Sequence, residues 1–593
     1  MGSRLKSFSR RLGFIATFFL ATLEVDAVTL QIRHLFGERP LRLGELETVS
    51  AGSPMMSVTR FDYLLSDFRW VKFDGSESPL SPQVAYISVG SDRTFLTLTA
   101  APLGTSAALR FRVGLPPHLN HANPVQFAAL DPLNPSVNGL HWGWQGGYVF
   151  MALEGNWRRS DGSLDGYSFH LATDALVMPI EIPIREGTDV SVVIPLVLDI
   201  ARIFGAVKKL PLDIGHTSTH SRTNDALASL MAANVARAFR WDHSPAAVAA
   251  VAAVPALKIE IGPNATPYPF TFSRLFPVPA LPRDNPLTEE GVRLGDRLFG
   301  ENLLSINGSQ SCASCHQASS AFTDAGRRTS RGAEGIAGAR NTQSLENIAW
   351  QTTFFWDGRT ASLREQVLQP IGNPIEMHES LTNVVSKLER AGYGPAFEAA
   401  FGTSLITVDR LSRALEQYLL TRVSGDSKFD RAARGEEILT SEEQRGFELF
   451  QTEYDPRHEQ FGADCFHCHG GTFFSDFAFH NNGLDRAESL RDTGRAAITG
   501  RSSDRGRFKT PSLRNVAITG PYMHDGRFAS LEEVVAHYST GVQRSPTLDP
   551  NLAKHPANGI SLCSADQRAL VAFLKTLTEV SLVNSEKPKR RQP

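Results

Sequence analysis

Cys312-Ala313-Ser314-Cys315-His316 sets two thiols and an imidazole at the spacing used for covalent c-type haem attachment. Two thiols so placed can add across the two vinyl groups of one haem, and the adjacent histidine then falls under the iron as its proximal ligand. A structural zinc pair is the competing reading of one such pentapeptide. Cys465-Phe466-His467-Cys468-His469 repeats the pattern. Zinc would need four ligands gathered at one point, whereas each pair here brings its own histidine, far from the other. The chain is therefore read as carrying two haem c groups. Of the five cysteines, Cys563 is left over; it is read as a buried thiol rather than a catalytic one.

The flanking sequence repeats too. Gly295-Asp296-Arg297-Leu298-Phe299 precedes the first motif as Gly446-Phe447-Glu448-Leu449-Phe450 precedes the second. Thr342-Gln343-Ser344-Leu345-Glu346-Asn347-Ile348-Ala349 returns as Thr510-Pro511-Ser512-Leu513-Arg514-Asn515-Val516-Ala517, and Asp357-Gly358-Arg359 returns as Asp525-Gly526-Arg527. The last two matches share one offset (510 − 342 = 525 − 357 = 168), so two related haem domains are expected. That offset pairs Tyr538 with Pro370 (538 − 168 = 370). A phenol can ligate ferric iron and proline cannot, so the second haem is expected closed by His469 and Tyr538, with the first open opposite His316. An ordinary packed tyrosine is the alternative. An open iron needs an acid-base group to cleave an O–O bond, and Glu376, just beyond Pro370, is the candidate; a solvated surface glutamate is the bland reading. Trp356 stands where the second repeat has His524 and could carry a hole between haems, or be a core tryptophan.

Around these residues, 593 positions are too many for one core, and the near balance of 60 basic against 62 acidic residues gives no electrostatic case for nucleic acid. Met1 to Ala27 reads as a charged n-region, an apolar h-region through Leu12–Leu20 and a small-residue cleavage site, hence a signal peptide, export to the periplasm and a soluble mature chain. An uncleaved anchor is the alternative. Ser9-Arg10-Arg11 is a faint twin-arginine signal, but haem attachment after export favours the general secretory route. From Val28 to Trp241, short alternating runs such as Phe95–Thr99 and Leu109–Val113 predict an antiparallel β-sandwich-like domain, closed by a helix from Asn224 to Phe239. The expected order is signal peptide 1–27, β domain 28–242, Pro- and Ala-rich linker 243–282, and a mainly α-helical cytochrome c-type domain 283–437 with the peroxide-reactive haem. A second such domain, 438–585, holds the six-coordinate haem, and a basic tail spans 586–593.

Phe354-Phe355-Trp356-Asp357-Gly358-Arg359, Asn373-Pro374-Ile375-Glu376-Met377 and Gly520-Pro521-Tyr522-Met523-His524-Asp525-Gly526-Arg527-Phe528 make the C-terminal half resemble bacterial di-haem cytochrome c peroxidases and their MauG-type relatives, MbnH among them. The resemblance implies that Trp356 is the inter-haem tryptophan, that Glu376 is the distal acid and that Gln366 and Pro370 line the distal pocket. It also implies calcium between the haems, held by Asn341 and the carbonyls of Thr519 and Pro521. Peroxidases usually have methionine where Tyr538 stands, and many have a distal histidine; between Gln317 and Met377 there is none. Both departures point to the MauG-like branch, which uses hydrogen peroxide to reach a high-valent state shared over both haems and oxidises tryptophan in a protein substrate.

Ser57-Val58-Thr59-Arg60-Phe61-Asp62-Tyr63, Asn120-His121-Ala122-Asn123-Pro124 and Leu140-His141-Trp142-Gly143-Trp144-Gln145-Gly146-Gly147-Tyr148 make the N-terminal half resemble MbnP-like proteins. In those a tryptophan becomes kynurenine and copper is bound. The disulfides they often carry cannot form in a half without cysteine. Trp142 and Trp144 share a strand face, with Trp142 the preferred oxidised residue, and His121, His141 and His170 are the copper-ligand candidates. The resulting expectation is a fused oxidase and substrate, acting within one chain or between two. Its rivals are a peroxidase fed by a small redox protein and a copper-binding or electron-transfer protein.

Overall fold

The computed structural model describes residues 27–579 apart from 49–53, 100–105, 142–146, 185–192, 212–215, 220, 222–223, 243–258, 325, 456–458 and 556–557. The signal peptide, the basic tail, most of the N-terminal stretch of the linker, and both Trp142 and Trp144 lie outside the described residues. Among those described, no helix is long and apolar enough to cross a membrane.

The N-terminal half is two β-sheets around one aromatic-rich core. The larger runs through β7 (Met178–Pro183), β4 (Ser106–Val113), β2 (Met55–Lys72), β5 (Val149–Arg158) and β6 (Leu164–Ala172) to the short strand Ser218–Thr219. The smaller orders β9 (Phe239–Trp241), β8 (Val193–Asp199) and β1 (Ala27–Phe36), with β3 (Phe95–Thr99) also on β1. Pairing is mostly antiparallel, but β1 and β8 run parallel from Thr29↔Val193 to Leu35↔Asp199, and β6 runs parallel to Ser218–Thr219. Strands so far apart in sequence need a crossover rather than a hairpin, and local alternation does not report that. The closing helix is α1, Ala226–Val235, shorter than the periodicity suggests. Asp225 caps it by accepting from the Leu227 and Ala228 amides. Phe239 belongs instead to β9, opposite Leu198.

The helical half is built twice. In the first unit α2 (Glu289–Phe299) crosses α4 (Val408–Leu420); in the second, α5 (Ser441–Gln451) crosses α8 (Ser564–Thr576). Gly295 and Gly446 sit at the two crossings, where a Cβ would overlap the Ala414 and Ala569 carbonyl oxygens respectively. The offset of 168 recurs in the backbone. Asn347 and Asn515 are both left-handed, and the bridge Phe354↔Thr360 is matched by Tyr522↔Phe528. α3 (Leu363–Gly372) and α6 (Leu531–Ala536) start on the same register, capped by Ser362 and Ser530. Residues 259–282 lie against the first haem unit: Phe276 is 1% exposed and edge-on to Trp350, whose indole donates to the Pro277 carbonyl at 2.7 Å. Cys563 is exposed at the N-cap of α8, not buried, because the helix begins at the surface.

Candidate active site

Each attachment motif folds into one tight turn, Cys312–Cys315 as α-helix and Cys465–His467 as 3₁₀, which brings both thiols and the histidine to one cavity wall. A cavity of about 1300 Å³ is lined by Cys312, Cys315, His316, Trp356, Gln366, Pro370 and Glu376. A narrower one of about 230 Å³ is lined by Cys465, Cys468, His469, Trp356 and Tyr538. The His316 Nδ1 donates to the Phe322 carbonyl at 2.8 Å, and the His469 Nδ1 to that of Phe474 at 2.9 Å. A carbonyl only accepts, so both rings carry this proton on Nδ1, which leaves Nε2 as the neutral donor atom an iron needs. Burial lowers both imidazole pKa values, which keeps that form. Two thiols and one oriented imidazole at each cavity thus fit two covalent haems.

The cavity walls differ at the equivalent position. Pro370 lies inside α3 and lines the first cavity. Tyr538 follows α6 in a π-turn, His537–Gly541, and lines the second. Its hydroxyl accepts from the Asn482 amide at 3.3 Å, and burial pushes it up to about 12. Glu376 accepts from the Asn373 amide at 2.7 Å. Burial raises its carboxyl, against the opposing pull of Asn373 and Arg359.

Trp356 lines both cavities, its indole donating to the Asn341 carbonyl at 2.8 Å. The two repeats clasp each other here through exchanged backbone bonds, Lys509 N to Trp356 O and Asn341 N to His524 O, each 2.8 Å. Lys509 and Asn341 are 168 positions apart, as are His524 and Trp356, so the clasp has near two-fold symmetry. Sequence reading missed Lys509, although the offset maps it onto Asn341. It lines both cavities and donates to the Gln351 side chain at 2.7 Å and the Thr353 carbonyl at 2.8 Å; burial lowers its ammonium to about 7, against Asp357. Asn341, Thr519 and Pro521 share the second cavity. The Asn341 amide nitrogen donates to the Arg328 carbonyl at 3.1 Å, so its oxygen is the end left for a cation.

In the β domain, His121 pairs with Asp174 at 3.0 Å, His141 packs edge-on to Tyr148, and His170 meets Glu154 at 2.8 Å. Among the described residues these three form no group whose donor atoms lie within 4.8 Å of one another, so the structure does not bring this copper set together.

Comparison with known proteins agrees with this architecture. Residues 289–438 match the family model of the di-haem cytochrome c peroxidases, and residues 25–224 match that of MbnP. The chain is 36% identical to the methylamine utilization protein MauG of Methylophilus methylotrophus over 310 residues, which is 52% of this chain and 87% of that protein. It is 34% identical to the cytochrome c551 peroxidase of Nitrosomonas europaea, covering 51% of this chain and 84% of that one. A solved MauG-like protein associated with microbial copper homeostasis is 36% identical, with 54% of this chain and 98% of that one aligned at a TM-score of 0.48. Through its C-terminal half the chain belongs to the di-haem cytochrome c peroxidase and MauG family of oxidoreductases, and ahead of that half it carries an MbnP domain.

Proposed function

We propose that this is an exported, periplasmic di-haem oxidase that reduces hydrogen peroxide with electrons drawn from a tryptophan of its own N-terminal domain, Trp142 or Trp144, with kynurenine as the end product. The observation that carries this reading is the asymmetry of the two cavities, Pro370 against Tyr538 at equivalent positions, in a chain that also holds an MbnP domain. Bound haem supplies the iron that takes peroxide and accepts its oxidising equivalents. Glu376, positioned by Asn373, moves a proton between the peroxide oxygens. Gln366 and Pro370 shape the pocket without offering the iron a strong ligand. Trp356 spans the two cavities and would share charge between them, while His469 and Tyr538 are the residues that would hold the second iron. Asn341 with the Thr519 and Pro521 carbonyls would hold a calcium ion beside Trp356. Intact-mass and peptide spectra of the holoprotein after peroxide test the reading: oxygen gain at Trp142 or Trp144 is expected, and its absence sinks it.

A second reading, a peroxidase fed by a small redox protein, is favoured by the 34% identity to a cytochrome c551 peroxidase. It requires rapid peroxide turnover with an external reduced protein donor and unmodified tryptophans.

A further inference from the structure

From Leu153 in β5 and from Tyr167 in β6, the strands have the alternation of a sheet with one wet face. Leu153, Gly155, Trp157 and Tyr167, Phe169, Leu171 point to the core, and Glu154, Asn156, Ser168 and His170 point the other way. Such polar faces ordinarily meet water, yet here the exposures are 2% for Glu154, 4% for Asn156, 0% for Ser168 and 4% for His170. The cover is the second haem unit. α7 (Pro550–Ala553) lies on β6, where a Cβ at Gly166 would overlap the Pro550 carbonyl. The Asn551 amide donates to Glu154 at 3.3 Å, and Arg544 pairs with Asp165 at 3.8 Å.

The contact reaches the haem attachment loop itself. His467, between the two cysteines, has its ring 5.3 Å from that of His170. Each ring is anchored by buried carboxylates on its own side. His170 is held by Glu154, which also binds Arg60 at 3.3 Å. His467 is held by Glu453 at 2.9 Å and Asp464 at 3.3 Å, with the Lys554 ammonium between those acids. Charges are buried only when paired, and here each domain pairs its own; the seam between them carries the Asn551–Glu154 bond, the Arg544–Asp165 pair and the His170–His467 ring contact. The Lys554 ammonium, 3.0 Å from Asp464 and 2.5 Å from Glu453, lies among Glu453, Asp464 and His467 and is the cation those buried carboxylates require.

We infer that the outer face of β5 and β6 is a permanent intramolecular dock for the second haem unit, and that electrons leave the N-terminal domain across the His170–His467 contact, so that oxidation runs within one chain. This rests on the oxidase reading above. In balance, an aromatic side chain RH of the N-terminal domain and water give ROH, two protons and two electrons. The electrons cross one at a time to the second haem, and H₂O₂ with the two protons and two electrons gives two waters. The net change is RH + H₂O₂ → ROH + H₂O, with peroxide the oxidant. His170 and His467 are positioning residues in this step and bind no substrate.

The test follows oxygen incorporation into residues 28–242 of the full-length holoprotein with hydrogen peroxide, over a hundredfold range of protein concentration. An intramolecular reaction has a millimolar effective concentration, so its rate per chain is expected to stay constant over roughly a hundredfold dilution at micromolar protein. Gly166→Leu, which wedges the dock, and the milder Asn551→Leu are each expected to slow incorporation at least about tenfold, the size of a lost near-contact geometry. Neither should change peroxide consumption with ascorbate as external reductant. A rate per chain proportional to protein concentration overturns the intramolecular claim and leaves the oxidase reading standing. Constant rates that neither variant alters overturn the crossing point. No incorporation under any condition removes the oxidase reading and this inference with it.

Discussion

Glu376 and Tyr538 carry the asymmetry between two sites that share one origin, and each can be tested alone. Glu376 accepts from Asn373 and is raised by burial. As a base it must be ionised, so activity should rise with pH through a value above the ordinary carboxylate range, and that acid limb should vanish in Glu376→Gln. The substitution should lower peroxide-dependent kcat/KM by about 10²–10⁴-fold, the usual worth of a positioned acid-base group, with both haems still attached by absorbance. Tyr538→Phe removes a hydroxyl buried at the second cavity only. It should alter the spectrum of the haem on His469 and leave that of the haem on His316 unchanged; a change at both would refute the pairing of Tyr538 with Pro370.

Among the elements, the duplication of the haem units was legible in the sequence because it rests on repeated local motifs. The Gly-x-x-Leu-Phe repeat predicted equivalent helices, and Gly295 and Gly446 prove to be the close-approach points of α2 on α4 and of α5 on α8. Gly295→Val should therefore cost about 1–3 kcal/mol or more from overpacking, read as a lower Tm together with poorer haem loading at Cys312 and Cys315. Ser362 and Ser530 cap the two equivalent helices, at positions 168 apart. The parallel pair of β1 with β8 was not legible, since pairing across some 160 residues leaves no periodic signal. Nor was the true end of α1, because Phe239 suits a helix face and a strand equally and only its partner Leu198 decides. Glu346, buried at 8% exposure next to Asn347, adds a pH signature. Burial, with help from Glu579, raises its carboxyl to about 7. A folded pKa above the unfolded one means this group favours the fold at low pH and that the advantage is lost as pH rises from about 4.5 through 7. Glu346→Gln should flatten that decline and gain roughly 2–3 kcal/mol at pH 8, measured by denaturant titration at pH 5 and 8.

At the scale of the whole molecule, the polar face of β5 and β6 is where sequence reading and structure part most instructively. The sequence offered His170 only as a copper-ligand candidate and gave no sign that Glu154, Asn156 and Ser168 would be covered, because a partner surface some 300 to 400 residues away is invisible to a local pattern. That surface is charged and buried, so its stability depends on every partner staying in place. Lys554 is 9% exposed and bonded to Glu453 and Asp464. Together with His467, it holds Asp464 well below the ordinary carboxylate range despite burial and the like charge of Glu453. The two acids in turn outweigh burial and Lys554 to hold His467 up to about 9. Lys554→Met leaves two buried carboxylates short of a cation, which should cost about 3–5 kcal/mol at neutral pH. The sign of the pH effect separates this from a packing defect. In the wild-type chain the depressed pKa of Asp464 makes its contribution present above the unfolded value and lost as pH falls. In Lys554→Met the acids favour their protonated forms, so the difference in Tm between variant and wild type should shrink as pH falls from 7 to 5. A deficit independent of pH would mean that Lys554 acts by its bulk and not as the cation of the Glu453–Asp464–His467 cluster beneath the dock.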